Sequence, residues 1–418
     1  MNLAVISVIA LAIAVLVSCF TPLNVGVLAI AMAWIVGVYI GGIPLNTVIA
    51  GFPTSLFLTL VGVTLLFSLA QTNGTLDKLA HHAVRLCRGN RGAVPVMFFF
   101  LAAALASMGP GNIASAALLA PMAMGTASRA RIPLFLMAIM VGNGANAGSL
   151  SPFAPTGIIV SGLMARMNMT GFELQTYLSN LLAHAFVAFS GYFLFGGLKL
   201  FRSSGASGEV DPMAVLTPTK ADRAFEPKQW ATLGVIAALL IGVIFFQVNV
   251  GFGAFLCAVV LVLTRCADDG EAIKRMPWRV IIMVTGVTVL IAILEKAQGI
   301  DLMVSLVARI STANTVTGVV AFIVGLISVY SSTSGVVLPA FLPMVPGLAH
   351  QLGVTHALGI ANAMNVGGHL VDVSPLSTIG ALCLAGASSE ESRPLFNKLL
   401  AWGLSMAIVG AIICYVAF

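Results

Sequence analysis

The feature that most limits how this chain can fold is a series of ten apolar runs, each long enough to cross a bilayer as a helix. They lie near 3–20, 23–40, 48–70, 133–165, 177–199, 229–247, 250–265, 279–295, 356–387 and 396–417. Of the 418 residues, 59% are hydrophobic and 8% are charged, which is more apolar surface than a soluble fold can bury. The sequence therefore predicts an all-α polytopic membrane protein. An outer-membrane barrel would instead show short strands of alternating polarity.

Two further apolar stretches, 93–127 and 316–349, are broken in the middle by small and polar residues. We expect each to turn back on its own side as a re-entrant helical hairpin. With both termini outside, this topology places 17 of the 20 Lys and Arg residues inside and only Arg166, Lys296 and Arg309 outside. If the hairpins crossed once, the asymmetry would vanish. We expect a multi-pass protein of the inner (cytoplasmic) membrane with periplasmic termini.

Several remaining features narrow the class. The first 20 residues lack the basic segment of a cleaved secretory signal, which favours a retained first helix. The six cysteines form no C-x-x-C pair, so no zinc or redox site is expected. The net charge of +6 is accounted for by inner loops, so no nucleic-acid partner is expected. Trp230, Trp278 and Trp402 fall at predicted helix starts, where we expect interfacial anchors.

The two halves of the chain resemble each other. "VGVTLL" at 61–66 answers "TGVTVL" at 285–290, and "SPFAPTG" at 151–157 answers "SPLSTIG" at 374–380. Because each half holds five spans, the second must lie upside down relative to the first, an arrangement that transporters use. We expect a first inverted repeat over 1–200 (hairpin 93–127, broken helix 133–165), a cytoplasmic linker over 201–228, and a second inverted repeat over 229–418 (hairpin 316–349, broken helix 356–387).

Four breaks are paired by this repeat. The hairpin tips are "SMGPGN" at 107–112 and "SSTSG" at 331–335, and the broken helices carry "GNGANAGSLSPFAPTG" at 142–157 and "NVGGHLVDVSP" at 365–375. Non-helical backbone at this depth must be buried in protein or line a wet cavity. Helix N-termini after each break favour an anion. Together the breaks predict an anion site with carbonyls left for a small cation, although any single Gly, Ser or Pro could serve packing.

Candidate ligands follow from residue type and place in the breaks. The candidate substrate contacts are Gly111, Asn112, Asn146, Ser151, Thr156, Ser334, Gly335, His369, Ser374, Ser377 and Thr378. The candidate Na⁺ ligands are Asn112, Asn143, Asn146, Thr333, Ser334, Asn365 and Asp372. Asn143 and Asn146 could instead bond neighbouring helices, and His369 could be a satisfied core residue.

Asp372 is the one acidic residue that the predicted topology places in the membrane core, and no Lys or Arg joins it there. An intramembrane carboxylate is costly and predicts a functional site, although a protonated Asp that fixes the helix break is the structural alternative. Helix ends supply about half a charge each. A dianion would therefore need co-bound cations, or protons on the substrate, His369 or Asp372. The sequence predicts cation coupling, by sodium or by protons, and no organic cofactor.

The motifs "GPGNIASAALLAPMAMG", "GNGANAGSLSPFAPTG" and "NVGGHLVDVSPLSTIGAL" resemble those of MatC-type malonate/dicarboxylate carriers. These carriers lie in the ion-transporter superfamily that also contains the divalent-anion/sodium symporters. The resemblance covers essentially the whole chain. It implies a homodimer in which a mobile part moves as an elevator against a scaffold and carries a small dicarboxylate, such as malonate, with sodium.

In the symporter relatives each hairpin tip carries Ser-Asn-Thr, with a proline nine residues after the Asn. The corresponding residues here are "GNI" at 111–113 and "TSG" at 333–335, with prolines at the expected distance. The resemblance implies substrate-carboxylate and sodium contacts for Asn112 and, less directly, for Ser334. Ser107 matches a serine that helps to hold sodium in those relatives. The departures at the tips leave sodium stoichiometry and substrate size open.

Other functions stay open. The chain could be a proton-coupled dicarboxylate symporter, or the large membrane subunit of a tripartite binding-protein-dependent transporter, which would need two partner proteins. A cation/proton antiporter would use Asp372 and His369 as its exchange site. A membrane-embedded enzyme is disfavoured because the sequence has no H-E-x-x-H, no G-x-G-D and no P-loop, and Asp372 lacks a second intramembrane carboxylate.

Overall fold

The structure is a computed structural model that describes residues 2–21, 23–85, 90–202, 224–387 and 389–418. These residues form helices and connecting turns and contain no strand, which confirms the all-α prediction. Most of the expected linker, 201–228, lies outside the described residues, and helix resumes at Pro227.

The helices of the first half are α1 Leu3–Phe20, α2 Val25–Trp34, α3 Leu45–Ala50, α4 Thr54–Thr72, α5 Thr75–Arg85, α6 Ala93–Met108, α7 Gly111–Arg129, α8 Leu134–Ala147, α9 Pro155–Arg166, α10 Glu173–Leu194 and α11 Gly197–Arg202. Those of the second half are α12 Pro227–Phe246, α13 Val250–Leu263, α14 Asp269–Arg275, α15 Trp278–Lys296, α16 Gly299–Arg309, α17 Val316–Ser328, α18 Leu338–Phe341, α19 Val345–Leu352, α20 Ala357–Leu370, α21 Thr378–Ala385 and α22 Ser389–Ala417. A π-helix, Ile35–Ile40, continues α2, and another, Thr333–Val337, precedes α18.

Six helical segments of the described chain are long and apolar enough to cross a membrane. They are Thr54–Thr72, Glu173–Leu194, Trp278–Lys296, Thr333–Leu352, Ala357–Ala385 and Glu391–Ala417. Shorter apolar helices, among them Leu3–Val17 and Val250–Leu263, accompany them. The prediction of a multi-pass membrane protein is confirmed at this level.

Helices recur between the halves with the spacing of the sequence repeat. α4 and α15 are each 19 residues long and begin 224 positions apart, at Thr54 and Trp278. α8 and α20 are each 14 residues long and begin 223 positions apart, at Leu134 and Ala357. Two helices of each half, one of them the broken helix, therefore recur with the offset that the sequence motifs show.

The halves also exchange contacts reciprocally. α4 packs on α13, and α15 packs on α2. Each crossing brings two glycines together: a Cβ on Gly62 would lie 2.4 Å from the carbonyl oxygen of Gly251, and a Cβ on Gly286 would lie 2.2 Å from that of Gly26. Small residues allow such close backbone approach in membranes. Reciprocal pairing of this kind is what the predicted inverted repeat would produce.

The two broken helices are the most enclosed elements. α8 packs on α6, α7 and α10, while α20 packs on α17 and α22 and also contacts α10. All residues from Leu136 to Ala147 and from Ile360 to Leu370 are buried. The first break is largely enclosed by protein, as irregular backbone at membrane depth requires, whereas the second break exposes Leu376 and Thr378 next to the start of α21.

Trp402 corrects one expectation. α22 begins at Ser389, earlier than the apolar run indicated, so Trp402 lies in its interior and not at its start. The indole is buried and packs on Phe135 and Phe195, with ring centroids 5.9 Å away in both cases. The interfacial assignment is wrong for this residue because the charged first turns of α22 hid the true helix start, whereas Trp230 is exposed.

Candidate functional site

The first hairpin tip is a turn at Gly109 and Pro110 that joins α6 to α7. Gly109 has φ +140° and Gly111 has φ +78°, in the region that favours glycine over residues with a Cβ. Gly111 also lies against the first broken helix, since a Cβ on it would lie 2.9 Å from Cδ of Pro155 at the start of α9. The tip and the first break therefore meet.

Hydroxyl groups fasten this tip to its surroundings. Ser151 Oγ, in the first break, donates to the carbonyl oxygen of Ser107 over 2.7 Å. Ser107 Oγ donates to Ala103 O over 2.6 Å and lies 2.9 Å from the hydroxyl of Tyr177 on α10. Two of the predicted residues are thus in direct contact, and both are engaged with protein atoms.

Asn112 links the first tip to the second half of the chain. Its Nδ2 donates to Oδ1 of Asn146 over 2.9 Å. Nδ2 of Asn146 in turn donates to the carbonyl oxygen of His369 on α20 over 3.3 Å. Asn112 is 7% exposed, while Asn146 and His369 have no exposed surface. The amide of Asn146 therefore uses both of its polar ends to join the two broken helices.

The second tip reaches the carbonyl group of Gly368, which is next to that of His369. Thr333 Oγ1 lies 3.2 Å from the carbonyl oxygen of Gly368 and 2.8 Å from Oδ1 of Asp372, and its hydrogen can serve either acceptor. Because Gly368 and His369 are adjacent, the second tip and the first broken helix reach two successive carbonyl groups at the end of α20, and the first tip is joined to them through Asn146. Asp372 is half-buried at this point.

The second break repeats the construction of the first. A Cβ on Gly157 would lie 1.9 Å from the carbonyl oxygen of Ser151, and a Cβ on Gly380 would lie 2.0 Å from that of Ser374. In each break the carbonyl group of this serine lies under the first turn of the next half-helix, and only glycine fits there. Ser377 Oγ donates to the carbonyl oxygen of Asp372 and lies 2.9 Å from that of Ser374.

The other predicted residues differ in how far they are enclosed. Thr156, Ser334 and Ser374 are buried, whereas Thr378 is exposed. Asn143 Nδ2 donates to Ile139 O over 2.8 Å, so its amide faces its own helix and a neighbour. Both polar atoms of Asn365 are buried without a hydrogen-bond partner in the described chain. The N–H of Gly335 donates to Ser332 Oγ over 3.2 Å and thereby shapes the second tip.

Three polar residues of α10 belong to this region and were missed by sequence reasoning, which treated α10 only as a span. Tyr177 contacts Ser107, Asn180 Nδ2 donates to Asn146 O over 2.8 Å, and His184 Nδ1 lies 2.9 Å from Asn143 Oδ1. Their spacing of three and four positions places them on one helix face. That spacing was the signal in the sequence.

One lysine of the described chain is buried, and its hydrogen bond lies outside this hydrogen-bonded region. Among the residues whose burial the structure describes, Lys78 is the only buried lysine or arginine, and its Nζ donates to Ala224 O over 2.8 Å near the start of α12. Arg166 and Glu173 line a separate cleft of about 570 Å³ between α4, α9 and α13. Pro152 of the first break borders the cleft, but the residues that join the two tips do not line it.

Comparison with known proteins agrees with the resemblance. Residues 1–149 match the family model of the dicarboxylate carrier protein MatC N-terminus, which confirms the MatC-type resemblance over α1–α8. No curated protein matches the chain. The crystal structure of the YdaH transporter of Alcanivorax borkumensis has a similar fold, with a TM-score of 0.54 at 18% identity over 88% of this chain and 87% of that chain.

Proposed function

We propose that the protein is a secondary transporter that imports a small dicarboxylate, of the size of malonate, together with Na⁺. The observation that best supports this proposal is that hydrogen bonds join both tips and both broken helices at, or through Asn146 to, the carbonyl groups of Gly368 and His369. Helix N-termini and amide N–H groups next to the breaks suit carboxylate groups. The match of residues 1–149 to a dicarboxylate carrier family supports the same substrate class.

The substrate lies between the two tips in this proposal. Asn112 and Gly111 of the first tip and Ser334 of the second contact its carboxylates, and the short side chains of the breaks complete the pocket. Na⁺ binds where carbonyl and carboxylate oxygens meet, next to Thr333 and Asp372. Oxygen ligands of this kind suit a hard cation. The cation offsets the charge that no neighbouring lysine or arginine neutralises.

Transport follows the elevator scheme that the resemblance implies. The hairpins and broken helices move together as the transport part, while the elements around α2, α4, α13 and α15 form the scaffold. Two copies of the chain associate through their scaffolds in the inner membrane, with both termini outside. The glycine crossings that hold α4 on α13 and α15 on α2 give the scaffold the rigidity that such a motion needs.

Uptake into liposomes that contain the purified protein alone tests this function. Labelled malonate should accumulate when Na⁺ is higher outside, and should not accumulate when choline replaces Na⁺. Accumulation driven only by a proton gradient would identify the proton-coupled alternative. Uptake indifferent to both gradients would refute cation coupling. Sodium/proton exchange without malonate would identify an antiporter, and activity that requires added binding protein would identify a tripartite transporter.

A further inference from the structure

Six polar residues meet between α8, α10 and α20, two from each helix and about one turn apart. They are Asn143 and Asn146, Asn180 and His184, and Asn365 and His369. All six have no exposed surface. Buried polar groups cost free energy unless they are hydrogen-bonded. Oδ1 of Asn180 and Nε2 of His184 and of His369 also have no partner in the described chain, but each of these side chains makes one hydrogen bond with its other polar atom, whereas the side chain of Asn365 makes none there.

The hydrogen bonds of Asn143 fix the protonated nitrogen of His184. Nδ2 of Asn143 donates to the carbonyl oxygen of Ile139, so the other end of the amide is the acceptor Oδ1. An acceptor opposite His184 Nδ1 requires that this nitrogen carry the hydrogen and donate it, over 2.9 Å. Asn143 therefore has both ends engaged, and His184 holds its amide in one orientation.

Asn180 also bonds α10 to α8, one turn further along α8 than His184 does. Its Nδ2 donates to the backbone carbonyl of Asn146 over 2.8 Å. The side chain of Asn146 then joins Asn112 of the first tip to His369 of the second broken helix. A change at Asn180 would thus reach the first tip through a single intermediate residue, without any contact between Asn180 and the tip.

The second half of the chain lacks this restraint. Asn365 lies 222 positions after Asn143, one residue from the helix-start offset between α8 and α20, and is equally buried. Both polar atoms of its side chain have no partner in the described chain. The two asparagines therefore differ in availability: one is committed to α10, and the other has two polar atoms left for a ligand.

We infer that His184 and Asn180 are positioning residues that hold the first broken helix in place, and that Asn365, not Asn143, is the asparagine that serves a coupling cation, about two helical turns before Asp372. This inference rests on the proposed transport function. Asn143 and Asn365 occupy equivalent places in the sequence repeat. In this inference Asn143 is held by α10, and Asn365 binds a ligand.

Substitutions of His184 test the positioning role. His184→Asn keeps an N–H donor near the place of Nδ1, whereas His184→Gln places its amide one bond further along and His184→Ala removes it. We expect the Ala and Gln variants to lose about tenfold in malonate kcat/KM, because Asn143 Oδ1 loses its donor, and the Asn variant to recover most of it. The Na⁺ concentration for half-maximal uptake should be the same in all three.

Asn143→Ala and Asn365→Ala are the matched pair for the second half of the inference. We expect Asn143→Ala to lower the maximal uptake rate and leave the half-maximal Na⁺ concentration unchanged. Asn365→Ala should raise that concentration about tenfold, as the loss of one ligand does. The half-maximal concentration does not depend on the amount of folded protein, and Asn365→Asp provides a second variant if the alanine variant folds poorly.

The opposite pattern, with Na⁺ dependence altered in Asn143→Ala and normal in Asn365→Ala, would overturn the inference. So would wild-type kcat/KM in His184→Ala and His184→Gln. These outcomes differ from a failure of the proposed function, in which the wild-type protein itself shows no Na⁺-dependent malonate uptake.

Discussion

Asp372 is the side chain on which the proposed cation site depends most. It is the only acid that the predicted topology leaves in the membrane core, and its Oδ1 lies 2.8 Å from Thr333 Oγ1 at the second tip. An uncompensated carboxylate in this place is costly. In the proposed function, a cation next to Asp372 offsets that cost and also supplies positive charge for an anionic substrate.

Asp372→Asn keeps the shape of the side chain and removes its charge. We expect the variant to fold with a melting temperature close to that of the wild type in the absence of ligand, and to lose the additional stabilisation that Na⁺ gives to the malonate complex. Asn112→Ala should lose the same stabilisation, because the first tip is then no longer joined to Asn146. Thermal unfolding in detergent measures both. If both variants keep the shift at wild-type size, the site is assigned wrongly.

The sequence predicted the polar residues in and close to the four breaks and missed those of α10, which lie away from any break. Asn112 and Ser151 stand beside glycine or proline, and Asp372 lies three residues before Pro375, so the breaks themselves draw attention to them. Asn180 and His184 lie in α10, a continuous helix of 22 residues with no interruption. Their spacing marks one polar face of α10, but only the packing of α10 against α8 shows what that face contacts.

At the scale of elements, the second arm of the second hairpin, residues 333–352, departs most from a regular helix. A π-helix at Thr333–Val337, α18, a 3₁₀ turn at Leu342–Met344 and α19 follow one another within 20 residues. Pro339, Pro343 and Pro346 explain the sequence of types, since each lacks an N–H donor and restricts the residue before it. The spacing of Pro343 was part of the repeat; the change of helix type at each proline required the structure.

The glycine crossings make a prediction about the scaffold. Gly62→Ala and Gly286→Ala would each push a Cβ into a backbone carbonyl, and overpacking of this kind costs about 1–3 kcal/mol. Gly234→Ala, with no heavy atom within 4 Å of the added carbon, is the control and should be neutral or stabilising by up to about 1 kcal/mol. Melting temperatures compare the three. Equal losses at all three positions would mean that the crossings are not tight.

At the scale of the whole molecule, the repeat and the distribution of charge make one topology testable. Gly270 lies in α14 and Thr312 in the turn between α16 and α17, and both are exposed. The inverted arrangement places the first inside the cell and the second outside. In a variant whose six cysteines are replaced by serine, we expect Thr312→Cys to react with an impermeant maleimide in intact cells and Gly270→Cys to react only after lysis. Labelling of both residues from one side would exclude the arrangement.

The fold was predictable to the extent that hydrophobic runs and paired motifs encode it, because span length and interruption are local properties. The reciprocal packing of α4 on α13 and α15 on α2 was not, since it depends on which glycines of distant helices meet. The start of α22 was misplaced for the opposite reason: its polar first turns carry no hydropathy signal although they are helical.

The central claim is that an anionic substrate and a cation occupy one site and stabilise each other there. The most direct measurement is the melting temperature of the purified protein over a series of malonate concentrations, once in Na⁺ and once in choline. A ligand at 100 times its dissociation constant stabilises the folded state by about 2.7 kcal/mol, so a coupled pair gives a malonate shift that is large in Na⁺ and small or absent in choline. A malonate shift of equal size in both salts would contradict the claim.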